Sequence, residues 1–259
     1  MRLEGKRAVI TGAGSGIGRA LAIEAAGRGI RLALTGRRRE ALQQTLAKLP
    51  GAGHFAVAGD VTSPADRASL MGAIEARWGG LDLLVNNAGL VPVGPLAKIT
   101  DDELHAVVAT NLLAPMALVR LALPLLRRGQ AARVVNIGSV LGDIPYPLFA
   151  AYSASKSGLR GFSTALRREL APLGVGVTYA APRATRTAAS RPLQALIEPF
   201  KMKLDSPRAV AVLVWKAVAR EADSAYPAGP ERLFVLIQRL LPQLVDRSIA
   251  KQLGKVGAV

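Results

Sequence analysis

KRAVITGAGSGIG, residues 6–18, decides how the rest of the chain is read. Its first half, residues 6–11, is a short apolar run containing Val9, Ile10 and Thr11, and reads as a buried strand. Its second half is a turn rich in glycine, and helix-like spacing starts at Ile17 and lasts to about Gly27. Glycines here let the backbone turn tightly and approach a pyrophosphate. The helix start adds unpaired amides at the positive end of the helix dipole. A Walker-type phosphate loop is excluded, because no Gly-Lys-Ser/Thr closes the run.

The same alternation continues outward. Strands are expected at 31–35, 54–58, 81–85, 133–137 and 175–179. Helices are expected at 39–49, 64–78, 101–126 (bent near Pro115) and 151–172. Strands that alternate with helices imply a parallel sheet covered on both faces. The expected fold class is α/β: a single-domain, Rossmann-like, doubly wound parallel sheet over residues 1–229. Residues 230–259 form a C-terminal amphipathic helical extension packed on the same domain.

Composition narrows the chemistry. There is no cysteine, which excludes disulfides, thiolate catalysis and thiolate-bound metals. His54 and His105 are the two histidines, in no ligand-like spacing, so no metal site is expected. No apolar leader is read at the N-terminus, and the greasy run 112–126, with Pro115, Arg120 and Pro124 inside it, reads as too short and interrupted for a membrane span. A cytoplasmic protein is expected. The net charge of +16 favours anionic partners, or is a solvated basic surface. At 4% aromatic residues, stacking platforms for single-stranded nucleic acid are scarce, and no nucleic-acid partner is expected.

Two clusters carry chemistry. Tyr152 and Lys156 are four residues apart at the start of a helix, which puts them on one face. A phenol titrates near pH ~10, and a nearby ammonium is expected to lower that value and make Tyr152 a usable proton donor or acceptor. Ser139, at the end of the fifth strand, could hold the reacting oxygen beside it. After the second strand comes Gly36-Arg37-Arg38-Arg39, with no acid before Glu40. An acid there would bond the ribose of NAD(H), whereas an arginine fork suits a 2′-phosphate. Arg37 first and Arg38 second therefore point to NADP(H) over NAD(H).

Gly12, Gly16 and Gly18 match TGxxxGxG, Asn86-Asn87-Ala88-Gly89 follows the fourth strand, and Ser139 precedes Tyr152 by thirteen residues. In these motifs, over about residues 5–219, the chain resembles the short-chain dehydrogenase/reductase family. The resemblance implies hydride transfer between the nicotinamide and a ketone or secondary alcohol, with Tyr152 as general acid in reduction. It implies that Gly12, Ser15, Gly16, Ile17 and Gly18 hold the cofactor's pyrophosphate. Asp60 and Val61 would meet the adenine, and Asn87, Ala88 and Gly89 would let the cofactor lie close. Asn111 would hold a water behind Lys156, Lys156 would bond the nicotinamide ribose, Thr187 would meet the carboxamide, and Pro182 would belong to the same cofactor site. The two long helices resemble those that pair in the family, so a homodimer is expected over a tetramer.

Arg183 stands where the family has a glycine, which leaves the backbone there open to question. Residues 188–205 read as a substrate lid. From Arg183 to Arg208 the chain has six basic residues against two acids, suiting an anionic or acyl-thioester substrate or merely facing solvent. Leu141, Ile144, Pro145, Tyr146 and Leu148 suggest an apolar pocket and a lipophilic or acyl-chain ketone. Leu233, Ile237, Leu240, Leu241, Leu244, Val245 and Ile249 follow helical spacing, broken at Pro242. That extension would pack over the pocket, form a subunit interface or touch a membrane surface. A serine hydrolase on Ser139 lacks a placed histidine and a G-x-S-x-G elbow. A non-catalytic NADP(H)-binding regulator remains the alternative, against which the intact Ser139, Tyr152 and Lys156 stand.

Overall fold

The structure is a computed structural model that describes residues 1–188, 194–198, 200 and 202–253. Parts of the expected lid, at 189–193, 199 and 201, and Lys255 of the tail lie outside the described residues.

The sheet has seven strands in the order β3-β2-β1-β4-β5-β6-β7. They are β1 (Arg7–Thr11), β2 (Arg31–Gly36), β3 (Phe55–Ala58), β4 (Leu83–Asn86), β5 (Arg133–Ile137), β6 (Gly176–Ala180) and β7 (Ser224–Ala225). Every neighbouring pair is parallel. The helices are α1 (Gly16–Ala26), α2 (Arg39–Leu46), α3 (Pro64–Trp78), α4 (Asp101–Val108), α5 (Ala114–Arg127), α6 (Ala150–Leu170), α7 (Gln194–Ile197), α8 (Pro207–Ala219), α9 (Glu231–Leu240) and α10 (Pro242–Leu253). Strand residues alternate between two cores. Ile10, Leu34 and Val85 pack with Leu21 of α1 and Val214 and Trp215 of α8. Val9, Leu84 and Val134 pack with Ile74 of α3 and Leu118 of α5. Trp215 is fully buried, and its indole N–H donates to the Leu21 carbonyl at 3.0 Å.

Strand order runs outward from β1 in one direction and from β4 in the other. The reversal opens a crevice at the carboxyl ends of β1 and β4, where open α/β sheets bind their ligands.

The sequence did not point to β7. It has two residues and no apolar run, and it exists through pairing with β6. Where a bend is expected near Pro115, the structure has a widened π turn over Ala109–Leu113, just before it. Pro115 has no N–H to return to the carbonyl at position 111, so the turn before it loosens. Pro115 and Pro124 do not interrupt the helix. The run Asp101–Arg127 has 27 residues and is, by length and composition, long and apolar enough to cross a membrane. Val107, Leu118, Val119, Ala122 and Leu125 on it are buried within the protein.

One ion pair ties the amino-terminal ends of the central strands β1 and β4, at the end of the sheet opposite the crevice. Asp82 accepts from Arg7 N at 2.8 Å, Arg7 Nε at 3.0 Å, Arg7 Nη2 at 3.0 Å and Gln130 N at 2.7 Å. Burial alone would push this carboxyl up, but the hydrogen bonds from Arg7 and Gln130 hold it below the usual carboxylate range. A depressed acid stabilises the fold above the unfolded pKa of about 3.9, and that contribution is lost as pH falls through the folded value. Asp82→Ala is expected to lower unfolding stability by about 3 kcal/mol at neutral pH. Urea titrations should show the gap narrowing below pH ~4.

Candidate active site

A cleft of about 1210 Å³ opens at the crevice. Among the residues along it are Gly12, Ser15, Gly16, Ile17, Gly18, Arg37, Arg38, Asp60, Val61, Asn87, Ala88, Gly89, Ser139, Tyr152, Lys156, Pro182 and Thr187. Sequence motifs spread over most of the chain are thus brought to one surface.

At one end is the glycine turn. Gly12 and Gly16 have φ of +65° and +52°, a region side chains rarely adopt. A Cβ on Gly18 would lie 2.2 Å from the Gly12 carbonyl oxygen, and one on Gly12 would lie 3.0 Å from Ala88 Cα. Ser15 caps α1 without a side-chain hydrogen bond, and the first turn of α1 has no acid. This is a cradle that side chains would fill, with unpaired amides at its floor. It fits a dinucleotide pyrophosphate.

Arg37 and Arg38 follow β2 and are exposed at the cleft edge. Asp60 faces them across it. Burial would raise its carboxyl, but hydrogen bonds from the Thr62 amide and hydroxyl and the charge of Arg37 pull it below the usual range.

The fourth-strand motif is chiefly a tie. The Thr11 hydroxyl oxygen accepts from the Asn87 and Ala88 amides, both at 2.9 Å, and Asn87 Nδ2 donates to the Thr11 carbonyl at 2.8 Å. Asn86 points away, donating to Asn136 Oδ1 at 2.9 Å, and Asn136 donates to Ser163. Asn111 sits in the π turn, fully buried. Its Oδ1 accepts from the Leu90 amide at 2.8 Å, and its Nδ2 donates to the Leu90 carbonyl at 2.9 Å and Ser155 Oγ at 3.0 Å. Gly89 lies between Asn111 and Lys156, since a Cβ there would be 3.2 Å from Asn111 Oδ1 and 3.7 Å from Lys156 Nζ.

Tyr152 is in the first turn of α6, with Lys156 one turn on and Nζ 5.8 Å from the Tyr152 ring centre. Lys156 Nζ donates to the Ile137 carbonyl at 2.9 Å, and burial lowers this amine to about 8. The expected lowering of Tyr152 is corrected here. Burial raises the phenol above its ordinary value, and a hydrogen bond with Ser139 opposes this only in part. The ammonium does not decide the balance, because it is itself desolvated and bound to a carbonyl. Ser139 Oγ accepts from the Leu141 amide at 3.1 Å.

Two residues, Tyr179 and Gly138, escaped the sequence reading. The Tyr179 hydroxyl donates to the Ser139 carbonyl at 3.2 Å and accepts from the Ser139 amide at 3.4 Å, bracing the peptide that carries Ser139. Gly138 is required by that brace, for a Cβ would lie 2.2 Å from the Tyr179 ring. Only a spacing between residues 138 and 179, invisible in one sequence, could have signalled it. The Pro182 carbonyl accepts from Val140 N at 3.1 Å, joining the loops after β5 and β6. Arg183 has no positive φ, so its place in the chain does not demand glycine. Its Nε donates to Asp205 at 2.9 Å, its Nη1 to Glu231 and its Nη2 to the Ala228 carbonyl at 3.2 Å. It therefore joins the loop after β6 to the far end of the expected lid and to the start of α9. Thr187 is set against Gly16, whose added Cβ would be 3.2 Å from Thr187 Cγ2.

The far end of the cleft is apolar. Phe149, Leu196 and Phe200 form a buried cluster, with Tyr146, Leu141 and Tyr152 against it. Phe234, Ile237, Leu244, Val245 and Ile249 of α9 and α10 line the same cleft. Tyr146 Oη donates to Gln252 at 3.0 Å, a second tie between the extension and the pocket wall. His105 is exposed and lines the cleft, whereas His54 Nδ1 accepts from the Leu32 amide at 3.1 Å, far from the chemistry.

Comparison with known proteins agrees with this geometry. Residues 6–196 match the short chain dehydrogenase family profile. The 3-oxoacyl-(acyl-carrier-protein) reductase FabG of Escherichia coli (strain K12) is 36% identical over 193 residues, covering 74% of this chain and 79% of that protein. Ketoacyl reductase HetN of Nostoc sp. is 29% identical over 253 residues, covering 95% of this chain and 88% of its own. A short chain dehydrogenase/reductase from Burkholderia phymatum, solved in complex with NAD, superimposes with a TM-score of 0.85 at 28% identity, covering 94% of this chain and 96% of that one. With residues 6–196 matched to the family profile and the parallel sheet superimposing on a family member, the chain belongs to the short-chain dehydrogenase/reductase family and is an oxidoreductase of that family.

Proposed function

We propose that the protein is an NADP(H)-dependent reductase of lipophilic ketones, acyl-chain ketones foremost, working in the cytoplasm as a homodimer. The observation that carries this is one cleft with a phosphate cradle and two arginines at one end, Tyr152 in the middle and an apolar chamber at the other. Relatives named as 3-oxoacyl and ketoacyl reductases support the substrate class. Exposed Val108 and Leu113, at the junction of α4 and α5, support a helix-paired dimer.

The chain's own residues would act as follows. Gly12, Ser15, Gly16, Ile17 and Gly18 hold the pyrophosphate, and Arg37 takes the 2′-phosphate with Arg38 beside it. Asp60 and Val61 hold the adenine, while Asn87, Ala88 and Gly89 admit the cofactor closely. Lys156 fixes the nicotinamide ribose, Thr187 fixes the carboxamide, and Pro182 belongs to the same cofactor site. When bound, the nicotinamide supplies the hydride to the carbonyl carbon. Ser139 and Tyr152 grip the carbonyl oxygen, and the Tyr152 phenol gives it the proton, which completes the alcohol. Asn111 uses one Oδ1 lone pair on Leu90 and keeps a second for a water behind Lys156.

The test is NADPH consumption against ketones of increasing chain length. Rates should rise with chain length; no turnover of any ketone would refute the reading. Cofactor choice has its own test. Arg37→Ala is expected to raise the KM for NADPH by about 10- to 100-fold, the worth of a charge-assisted hydrogen bond, with the KM for NADH nearly unchanged. An unaltered NADPH preference would remove Arg37 from the phosphate site.

A further inference from the structure

Eleven large hydrophobic side chains are exposed among the described residues, and six of them fall between Leu233 and Leu244. Scattered exposed leucines are ordinary, but a cluster of this kind marks a contact surface. The inner side of the α9–α10 hairpin faces the cleft through Phe234 and Ile237. Leu233, Leu236 and Leu240 do not line the cleft; they recur at helical spacing and are 57%, 51% and 68% exposed. Leu241 continues the row at the hairpin turn.

The flank of α9 supplies a second observation. A groove of about 800 Å³ between α9 and α6 is lined by Arg160, Arg167, Arg168, Arg232 and Arg239. Two acids answer them. Asp143, whose side chain is fully buried, takes Arg160 at 2.9 Å and Arg239 at 3.3 Å, and exposed Asp223 takes Arg167 at 3.5 Å. Arg168 and Arg232 are exposed and have no acidic partner among the described residues. An apolar ridge therefore runs beside an arginine-lined groove with surplus positive charge.

We propose that the α9–α10 hairpin and the arginine groove together dock on an anionic phospholipid surface. Leu233, Leu236, Leu240 and Leu241 enter the acyl boundary, while the guanidinium groups meet lipid phosphates in bidentate fashion. Charge complementarity selects this occupant over a second copy of the chain. A two-fold contact through this surface would bring the unpaired Arg168 and Arg232 of both copies together, beside arginines whose two acids are already engaged. Docking would also hold the mouth of the apolar chamber at the bilayer, because the same hairpin roofs both. The docking proposal stands independently of the substrate assignment.

The test is co-sedimentation of the full-length protein with vesicles of phosphatidylcholine alone, or with one third phosphatidylglycerol. Binding is expected to the anionic vesicles, weak or absent on the neutral ones, and reduced by salt. The double variants Leu236→Glu/Leu240→Glu and Arg168→Glu/Arg232→Glu should each reduce partitioning at least about tenfold. None of these four residues is in the catalytic or cofactor machinery, so their NADPH-linked turnover of a short soluble ketone should match that of the parent, which also shows that they fold. No binding, equal binding to both vesicle types, or binding untouched by either double variant would overturn the proposal. So would a loss of self-association in Leu236→Glu/Leu240→Glu without vesicle binding, which would make a second copy the occupant. Binding of glycerol phosphate with no vesicle binding would likewise overturn it in favour of a soluble phosphate ligand.

Discussion

Tyr152→Phe is expected to lower kcat for ketone reduction about 1000-fold, with cofactor affinity changed no more than a few-fold. Phenylalanine keeps the ring and its packing beside Leu141 and Phe149 and removes one hydroxyl. In the proposed mechanism that hydroxyl both holds the substrate oxygen and gives it a proton, a role worth about 100- to 10,000-fold. Because burial raises the phenol, Tyr152 is protonated throughout the neutral range. Reduction therefore starts from the form it needs, and its rate should be flat through neutral pH. Alcohol oxidation needs the phenolate and should accelerate as pH rises into the alkaline range. Stopped-flow measurement of NADPH oxidation, with separate fluorescence titration of bound NADPH, separates chemistry from binding. If Tyr152→Phe retained most of its turnover, the proton would have to come from elsewhere and the catalytic assignment would fail.

What the sequence displayed and what it hid differ for a physical reason. The β1–turn–α1 unit is legible because its determinants are local: an apolar run, glycines where φ is positive, and a helix start. The spacing of Tyr152 and Lys156 is legible because four residues make one helical turn. The sign of the shift at Tyr152 was not, because burial depends on Leu141, Phe149 and Phe200, which arrive from different elements. The brace from Tyr179 to Ser139 joins residues forty positions apart, and the clamp of Arg183 on Glu231 joins residues 48 apart. The C-terminal hairpin illustrates the same limit. Its amphipathic spacing was plain, but an alternation of leucines says nothing about which partner each face meets. In the structure the two faces divide, one lining the cleft and one facing outward.

Lys156→Met should lose turnover about 100- to 1000-fold and yet fold more stably than the parent. The buried amine is lowered to about 8 from an ordinary 10.5, so the unfolded chain holds this proton more tightly than the folded one. Stability must then fall as pH drops from about 10.5 towards 8, and below that the penalty stays constant. At neutral pH it amounts to roughly 3 kcal/mol. Methionine removes the charge and fills similar volume, but it leaves the Ile137 carbonyl without its 2.9 Å donor, an opposing loss of about 1 kcal/mol. The balance favours the variant by roughly 2 kcal/mol, which is a rise of about 4–8 °C in Tm for a chain of this size. Thermal unfolding of the cofactor-free proteins should show that gap at pH 7 and show it closed or reversed by pH ~10.5, where the parent's amine is neutral in the folded state and about half neutral in the unfolded chain, so most of the penalty has gone. A Met variant less stable than the parent at pH 7 would mean that the carbonyl bond outweighs the desolvated charge. The parent would then gain stability from Lys156, whereas the proposed reading has it tolerate a destabilising ammonium because that group is needed to fix the nicotinamide ribose.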